Sequence, residues 1–198
     1  ITRLYDKKAQ KEIFRPSSLM EGNPDTYSID RASNILRLFK ETPHSMSSWV
    51  IGNIEKVVNL SNGCQIKIEE EGPVRVILGI NRSFNQSRIE QKIILYRDLE
   101  RIDFVTKIDW QEKGSQKEGV PMLRVFFHLN FSSPEASFEI PFGSIKRASL
   151  GEEVPALRWV DISGVHYGVS LLNDCKYGHQ VQGNSMSLTL LRSPYEHF

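Results

Sequence analysis

The sequence lacks the features that mark membrane, disulfide-rich and nucleic-acid-binding proteins. It has two cysteines, Cys64 and Cys175, in 198 residues, which is too few for a disulfide framework and favours reduced thiols in the cytoplasm. Its 25 Lys and Arg balance 24 Asp and Glu, and no apolar run approaches the ~20 residues of a membrane span. We therefore expect a cytoplasmic protein with no nucleic-acid partner and no membrane partner.

Metal ligands are also scarce. A structural zinc site needs about four Cys or His ligands at short spacing. Here the two cysteines stand far apart and the five histidines are scattered along the chain. The sequence therefore predicts no metal site and no cofactor within this chain.

Alternating hydrophobicity is abundant. Ile102, Phe104 and Ile108 fall on one side of a strand, with Asp103 and Lys107 opposite, and a period of two is the signature of a half-buried strand. Similar runs recur between turn signals, which include Ser61–Gly63 and Leu150–Gly151, with no long helical pattern. We therefore predict an all-β fold, a large antiparallel β-sandwich, with the following strands: 35–39, 54–60, 65–70, 74–80, 89–97, 102–110, 123–131, 137–141, 157–161, 165–172 and 186–191.

The first residues depart from this pattern. The stretch Lys7–Leu19 is polar and irregular, as is common near chain ends that are not tied down. We therefore interpret residues 1–34 as a linker or N-terminal edge segment and residues 35–198 as one β-sandwich domain.

The richest chemistry lies near the C-terminus. The runs Val165–Leu172 and Met186–Leu191 flank a segment with amides, charges, an aromatic ring and glycines, and they predict a hairpin with the loop Asn173–Gly183. One reading is a structural cap, in which Asn and Asp bond to their own backbone and Gly178 supplies a positive φ. The other is a sugar site, since planar polar groups bind sugar hydroxyls and an aromatic ring stacks on the sugar.

The motifs of this region point to a family. Residues 157–194 contain Trp-Val-Asp, then Tyr-Gly-Val, then Leu-Asn-Asp-Cys-Lys-Tyr-Gly and finally Leu-Leu-Arg-Ser-Pro. This order closely resembles the C-terminal region of the α-mannosidases of glycoside hydrolase family 38, in their cytosolic and bacterial branch. Residues 41–49 (Glu-Thr-Pro-His-Ser-Met-Ser-Ser-Trp) are similar to another signature of the family, as are Gly72–Arg75 and the stretch from Arg101 to Trp110.

The resemblance implies a specific division of labour. It suggests a galactose-mutarotase-like supersandwich that is the C-terminal β domain of a retaining exo-α-mannosidase, which hydrolyses terminal α-linked mannose. The nucleophilic aspartate and a divalent metal, zinc, would lie in a catalytic domain outside this chain. The expected partners are the enzyme's own catalytic and helical domains and a mannose-containing glycan, and a homo-oligomer stays open. The 198 residues alone should be inactive.

Site residues follow from the same resemblance. We expect no catalytic residue here, and substrate-rim positions at Asn173, Asp174, Lys176, Tyr177 and Arg192. The pair Asp103 and Asp109 cannot serve as glycosidase carboxylates. Six residues at ~3.3 Å each separate them by roughly 20 Å, whereas a retaining pair needs ~5.5 Å.

Alternatives remain for the function and for individual residues. The chain could be a stand-alone carbohydrate-binding module, or an epimerase of the mutarotase type, although fold is a poor guide to chemistry and no histidine is placed beside a suitable carboxylate. Arg192 either marks the exit of a strand into solvent or holds the loop or an interface. His44 is most simply structural, and Trp110 and Trp159 most simply pack in the core or between domains.

Overall fold

The computed structural model describes residues 1–14, 32–133 and 135–195. Every regular element in these ranges is a β-strand, so no helix there could span a membrane, and the prediction of an all-β fold is confirmed. The strands are β1 (Tyr5–Asp6), β2 (Lys11–Glu12), β3 (Ile35–Glu41), β4 (Ile54–Asn59), β5 (Gln65–Glu71), β6 (Arg75–Phe84), β7 (Ser87–Tyr96), β8 (Ile102–Asp109), β9 (Val120–His128), β10 (Glu135–Ile140), β11 (Gly143–Ala148), β12 (Leu150–Pro155), β13 (Trp159–Ser163), β14 (Gly168–Leu172), β15 (Gly178–Gln182) and β16 (Ser185–Arg192).

The strands divide between two compact units. The first unit comprises the described residues of Ile1–Glu41, Asn53–Asn59 and Met122–Arg192. It contains a four-stranded sheet of order β11-β10-β13-β14 and a six-stranded sheet of order β12-β15-β16-β9-β3-β4. The hairpins β10–β11, β13–β14 and β15–β16 are antiparallel, as predicted.

The two sheets of this unit face each other across an apolar core. Phe138 and Val160 of the four-stranded sheet are buried, as are Val125, Phe127 and Met186 of the six-stranded sheet. Burial of such side chains stabilises the fold by about 1.5–3 kcal/mol each. Near one edge the sheets leave a cavity of about 300 Å³ that is lined from both sides, by Phe138, Arg147, Ala148, Leu150, Glu152, Val154 and Val181. This unit is therefore a β-sandwich, and its likeness to galactose mutarotase stays a prediction.

The second unit is built on a meander. The strands β5-β6-β7-β8 form a four-stranded antiparallel sheet, and the long hairpin β6–β7 turns through Asn85 with a φ of 46°. Ile80, Ile89 and Ile93 lie on one face of this sheet and are buried, whereas Glu90 on the other face is exposed. The alternation seen in the sequence therefore sets the two faces of this sheet.

Some local predictions were wrong. Leu150–Gly151 is not a turn, because both residues belong to β12, where Gly151 has a φ of 93° at an irregularity in the pairing with β15. A glycine with positive φ inside a strand is typical of a bulge. The predicted strand Val165–Leu172 begins only at Gly168, and the strands β11, β12 and β15 had no predicted counterpart.

The described N-terminal residues pack within the first unit. β1 and β2 form a short antiparallel pair, and Ile13 and Phe14 are buried. Phe14 forms a bridge with Leu129, and its ring lies 6.3 Å from that of Phe127. Residues 15–31 of the predicted linker lie outside the described residues, and the boundary between 34 and 35 stays a prediction.

Candidate functional site

The polar segment near the C-terminus connects two sheets. β14 pairs with β13 in the four-stranded sheet, and β15 pairs with β16 in the six-stranded sheet. The predicted hairpin between residues 165–172 and 186–191 is therefore wrong, since those strands belong to different sheets. The loop is also shorter than predicted, because residues 178–182 form β15. We call the five residues Asn173–Tyr177 the crossover loop.

Asn173 fixes the crossover loop at its start. Its Oδ1 accepts hydrogen bonds from the backbone N–H of Cys175 at 3.1 Å and of Lys176 at 2.6 Å. Its backbone N–H and its Nδ2 both donate to the carbonyl of Arg158, at 2.7 and 3.3 Å. Local bonds of this kind are the usual way in which Asn stabilises a turn. The side chain of Asn173 is therefore engaged with the protein on both of its polar ends.

The remaining side chains of the crossover loop lie at the surface. Asp174 and Tyr177 are exposed, and Lys176 is half-buried. A hydrogen bond to the Asp174 carboxylate raises the pKa of the Cys175 thiol above its usual value, and burial and the carboxylate charge add to this effect. Cys175 is therefore a protonated, weakly reactive thiol at neutral pH. The loop presents a carboxylate, an ammonium group and a phenol ring.

Gly178 has a different role from the one predicted. It does not have a positive φ. Instead, an added Cβ would overlap the Oε1 of Glu153 and approach Thr189. Gly178 therefore leaves room for the Glu153 carboxylate, which passes close to the backbone at the end of the crossover loop.

That carboxylate belongs to a buried polar cluster on the outer face of the six-stranded sheet. Glu153 Oε2 accepts a hydrogen bond from Thr189 Oγ1 at 2.8 Å and pairs with Arg124 Nη2 at 2.9 Å. Arg124 Nη2 also donates to Ser187 Oγ at 3.1 Å. The Arg124 guanidinium lies 5.6 Å from the ring of Phe126, within the range of a cation–π contact. This cluster supports the sheet directly beneath the crossover loop.

The sequence did not reveal this cluster. Arg124 and His128 alternate with apolar residues along β9, yet only 5% of Arg124 is exposed. Burial lowers the pKa of Arg124, and the charge of Glu153 opposes this shift. One signal was present: the run Val120–Phe131 carries Phe126 on its polar side, and strands covered on both faces are enriched in such residues.

His179 lies at the beginning of β15 and is fully buried. Its Nε2 is 3.4 Å from Asn173 Nδ2. Burial lowers the pKa of His179 below its usual value, whereas hydrogen bonds with the backbone of Leu157 and Lys176 act in the opposite direction. The ring is therefore neutral at pH 7 and links the core to the crossover loop.

Arg192 forms an ion pair rather than pointing into solvent. Its Nε and Nη2 donate to the two carboxylate oxygens of Glu41 at 2.6 and 2.8 Å. Glu41 is fully buried, and 15% of the Arg192 side chain is exposed. Both residues lie at strand ends, of β16 and β3. Of the two readings offered for Arg192, the geometry agrees with a fixed guanidinium.

Potential metal ligands do not cluster in the described ranges. Residues 1–14, 32–133 and 135–195 contain no group of three or more His, Cys, Asp or Glu side chains that could hold an ion. Cys64 and Cys175 form no disulfide. These ranges therefore offer the crossover loop, and no metal centre, as the candidate functional site.

Comparison with known families explains the motifs. The sequence profile described as "Glycosyl hydrolases family 38 C-terminal domain" matches residues 1–197. This chain belongs to that family. The family 38 domain is 30% identical over 209 residues to Alpha-mannosidase G of Dictyostelium discoideum, covering 98% of this chain and 18% of that protein. It is 37% identical over 116 residues to Alpha-mannosidase 2C1 of Mus musculus, covering 54% of this chain and 11% of that protein.

The matched fractions show how much of each relative this chain covers. It spans less than one fifth of the length of Alpha-mannosidase G while almost all of its own length is matched. A third relative, Alpha-mannosidase of Saccharomyces cerevisiae, is 36% identical over 105 residues, which are 48% of this chain and 9% of that protein. The chain thus matches the C-terminal domain of family 38, and the relatives it is similar to are named as α-mannosidases.

Two motifs of the family 38 domain meet in the Glu41–Arg192 pair. Glu41 opens the Glu-Thr-Pro-His motif, and Arg192 belongs to the Leu-Leu-Arg-Ser-Pro motif. In the second unit, the backbone of His44 is bonded to the Tyr195 hydroxyl, which accepts from the His44 N–H at 2.9 Å and donates to the His44 carbonyl at 2.7 Å. Trp110 donates from Nε1 to Ser193 at 2.8 Å. The motifs therefore join distant parts of the chain.

Proposed function

We propose that this domain is the C-terminal β domain of a retaining exo-α-mannosidase that hydrolyses terminal α-linked mannose. The observation that carries the proposal is the crossover loop, in which Asn173 fixes the backbone while Asp174, Lys176 and Tyr177 lie at the surface. Membership of the family and the relatives named as α-mannosidases support the reaction class. The domain contributes rim residues to an active site whose catalytic groups lie outside these 198 residues.

Each rim residue has a distinct role. The Asp174 carboxylate accepts hydrogen bonds from sugar hydroxyls, the Lys176 ammonium donates them, and the Tyr177 ring stacks on the apolar side of the sugar. Asn173 acts as a positioning residue, because both ends of its amide are engaged with the protein. Arg192 acts indirectly as a positioning residue, because its ion pair with Glu41 fixes the end of β16.

The metal belongs to another part of the enzyme. A divalent ion, zinc, bound in the catalytic domain would grip the mannose hydroxyls and stabilise developing charge. The described residues have no ligand group for it, so no residue of this chain is assigned to the metal. The partners we propose are the enzyme's own catalytic and helical domains and a mannose-containing glycan, and a homo-oligomer stays open.

A cytoplasmic location is part of the proposal. Cys64 and Cys175 are both thiols, and Cys175 is exposed. Exposed thiols persist in a reducing compartment, whereas secreted domains tend to use their cysteines in disulfides. Fractionation of cells that express the natural protein would test this location.

Hydrolysis of an aryl α-mannoside tests the proposed function. The full-length polypeptide should hydrolyse it, and the 198-residue chain should not. In the full-length protein, Asp174→Asn and Tyr177→Phe should each lower kcat/KM at least about tenfold, equivalent to ~1.4 kcal/mol of transition-state binding. The melting temperature should change little, since exposed loop residues seldom contribute more than ~0.5 kcal/mol.

Two results would reject the proposal. Hydrolysis by the 198-residue chain would place the catalytic groups within it. Alternatively, an inactive full-length protein that binds mannose through Tyr177 would identify a carbohydrate-binding module. Val165→Ala is the matched control. Val165 is exposed and lies in the turn between β13 and β14 of the four-stranded sheet, outside the crossover loop.

A further inference from the structure

The turn between β10 and β11 exposes a large apolar side chain. Only Pro141 and Phe142 separate the paired residues Ile140 and Gly143. Phe142 has 110% of its reference surface accessible, so its ring packs against none of the residues that the structure describes. Single exposed apolar residues are common, but a phenylalanine at full exposure forgoes all the stabilisation that burial would give.

The backbone of Phe142 is also unfavourable. Its φ is 63°, which a bulky residue rarely adopts. Proline followed by a residue with positive φ is the pattern of a type II turn, in which the second position is normally Gly or Asn. Phe142 occupies that position, and a glycine follows at 143. The exposed ring and the positive φ of Phe142 are therefore both energetically unfavourable in the isolated chain.

Phe142 lies at the same end of the four-stranded sheet as the crossover loop. The order β11-β10-β13-β14 puts β13 and β14 next to the hairpin β10–β11. At this end, Leu157 donates to the carbonyl of Glu139 at 3.0 Å, and Asn173 donates to that of Arg158 at 2.7 Å. The turn after Ile140 and the loop after Leu172 therefore leave the sheet on the same side.

Further apolar groups occupy this end of the sheet. Trp159 and Leu172 are cross-strand partners on β13 and β14, and they lie on the face opposite to the buried Val160 and Ile162, by the alternation of strands. Leu172 is 70% exposed, and Trp159 is partly exposed. We call Phe142, Trp159 and Leu172 the Phe142 surface.

We propose that the Phe142 surface docks against the part of the α-mannosidase polypeptide that lies outside these 198 residues, with Phe142 inserted into an apolar pocket there. The proposal rests on the proposed function. Alpha-mannosidase G has more than four fifths of its length outside the matched region, so a covering segment is available in such an enzyme. A buried aromatic anchor would offset the unfavourable turn.

A protein segment fits this surface better than a glycan. Phe142 and Leu172 carry no side-chain polar group, and Trp159 has only its indole N–H. Sugar recognition needs several donors and acceptors around the stacking ring, and here those groups belong to the crossover loop instead. Docking through Phe142 would hold the neighbouring crossover loop in place against the catalytic domain.

Thiol labelling of the full-length protein tests the docking. Phe142→Cys and, separately, Val165→Cys are treated with a maleimide, and the rate is read by mass spectrometry on the peptide that carries the new cysteine. Val165 is the matched control, because it is 92% exposed and lies in the turn at the opposite end of the same sheet. We expect Cys at position 142 to react at least tenfold more slowly than in the unfolded protein, and Cys at 165 to react within about threefold of its unfolded rate.

The alternatives give different results. Equal labelling at both positions, fast or slow, overturns the proposal. Protection of position 142 that requires added methyl α-mannoside also overturns it, and identifies a glycan as the occupant. Labelling does not depend on turnover, so failure of the docking is distinguishable from failure of the proposed function, which is read from hydrolysis by the wild-type protein.

A second variant separates docking from a purely local role of the turn. Phe142→Asn keeps a residue that tolerates positive φ and removes the ring. It should leave the melting temperature of the 198-residue chain unchanged or higher, and lower that of the full-length enzyme by a few degrees. A lower melting temperature in both would show that the ring stabilises its own domain, and would overturn the proposal.

Discussion

Replacing Arg192 by Met tests how much the Glu41–Arg192 pair contributes to stability. Arg192→Met leaves the fully buried Glu41 carboxylate without its two guanidinium donors. Removing one partner of a buried ion pair typically costs 3–5 kcal/mol, on the order of the desolvation cost of the remaining charge. Since 15% of the Arg192 side chain is exposed, some water reaches the site, and we expect about 3 kcal/mol.

The pair Glu70–Arg75 provides a matched control in the same chain. It is also bidentate, with both nitrogen–oxygen distances at 2.8 Å, but 41% of each side chain is exposed. Exposed ion pairs contribute about 0–1 kcal/mol. Arg75→Met should therefore lower the free energy of unfolding much less than Arg192→Met does.

Urea unfolding of the 198-residue chain at pH 7, followed by tryptophan fluorescence, gives both values. The double variant Glu41→Met with Arg192→Met should recover most of the loss, because neither charge then remains buried. Equal effects of Arg192→Met and Arg75→Met would refute the reasoning, since they would show that burial does not determine the contribution of the pair. Failure of the double variant to recover would show that packing, and not charge, is responsible.

Three further outcomes are expected. Burial lowers the pKa of His179, so the unfolded chain takes up a proton at higher pH than the folded chain, and the free energy of unfolding should fall as the pH drops from about 6.5 through the folded pKa. The slope should be at most ~1.4 kcal/mol per pH unit. Urea midpoints between pH 7.5 and 5 measure this slope, and an unaltered slope in His179→Gln would contradict the assignment to His179. Asn173→Ala should cost about 1 kcal/mol and make the crossover loop cleavable by protease, whereas Asp174→Ala should not; equal cleavage of the two variants would count against the role of Asn173. Elemental analysis of the dialysed 198-residue chain should give well under one zinc per molecule, and a stoichiometric value would reveal a ligand group that involves residues other than those described.

The sequence correctly predicted those strands in which one face is buried and the other is exposed to solvent. The strand β8 was predicted almost to the residue, because Ile102, Phe104 and Ile108 alternate with polar positions. The strands β11 and β12 carry no such pattern, and Gly151 looked like a turn because a bulge and a turn use the same residue type. Their pairing partners hold them in place, and local sequence does not encode those partners.

The candidate site shows the same limit. The polar composition of residues 173–177 was visible in the sequence, and so were both readings of Asn173. The sequence did not show that the strands β14 and β16 lie in different sheets. The two could equally well pair with each other until the pairing of β14 with β13 is known. The sequence did not predict the buried charges of Arg124, Glu153 and Glu41, because charged residues are rarely buried. Only the fold shows that each of them has an opposite charge beside it.

The crossover loop has a mechanical consequence. Its five residues are anchored at one end to the four-stranded sheet and at the other to the six-stranded sheet. A sliding displacement of one sheet past the other would therefore be transmitted directly to Asp174, Lys176 and Tyr177. Close-packed cores resist such shear, so the stiffness of the sandwich interior, through Phe138 and Met186, sets how closely these three side chains keep their positions. A cavity cut into that interior would loosen the loop without altering a single residue in it.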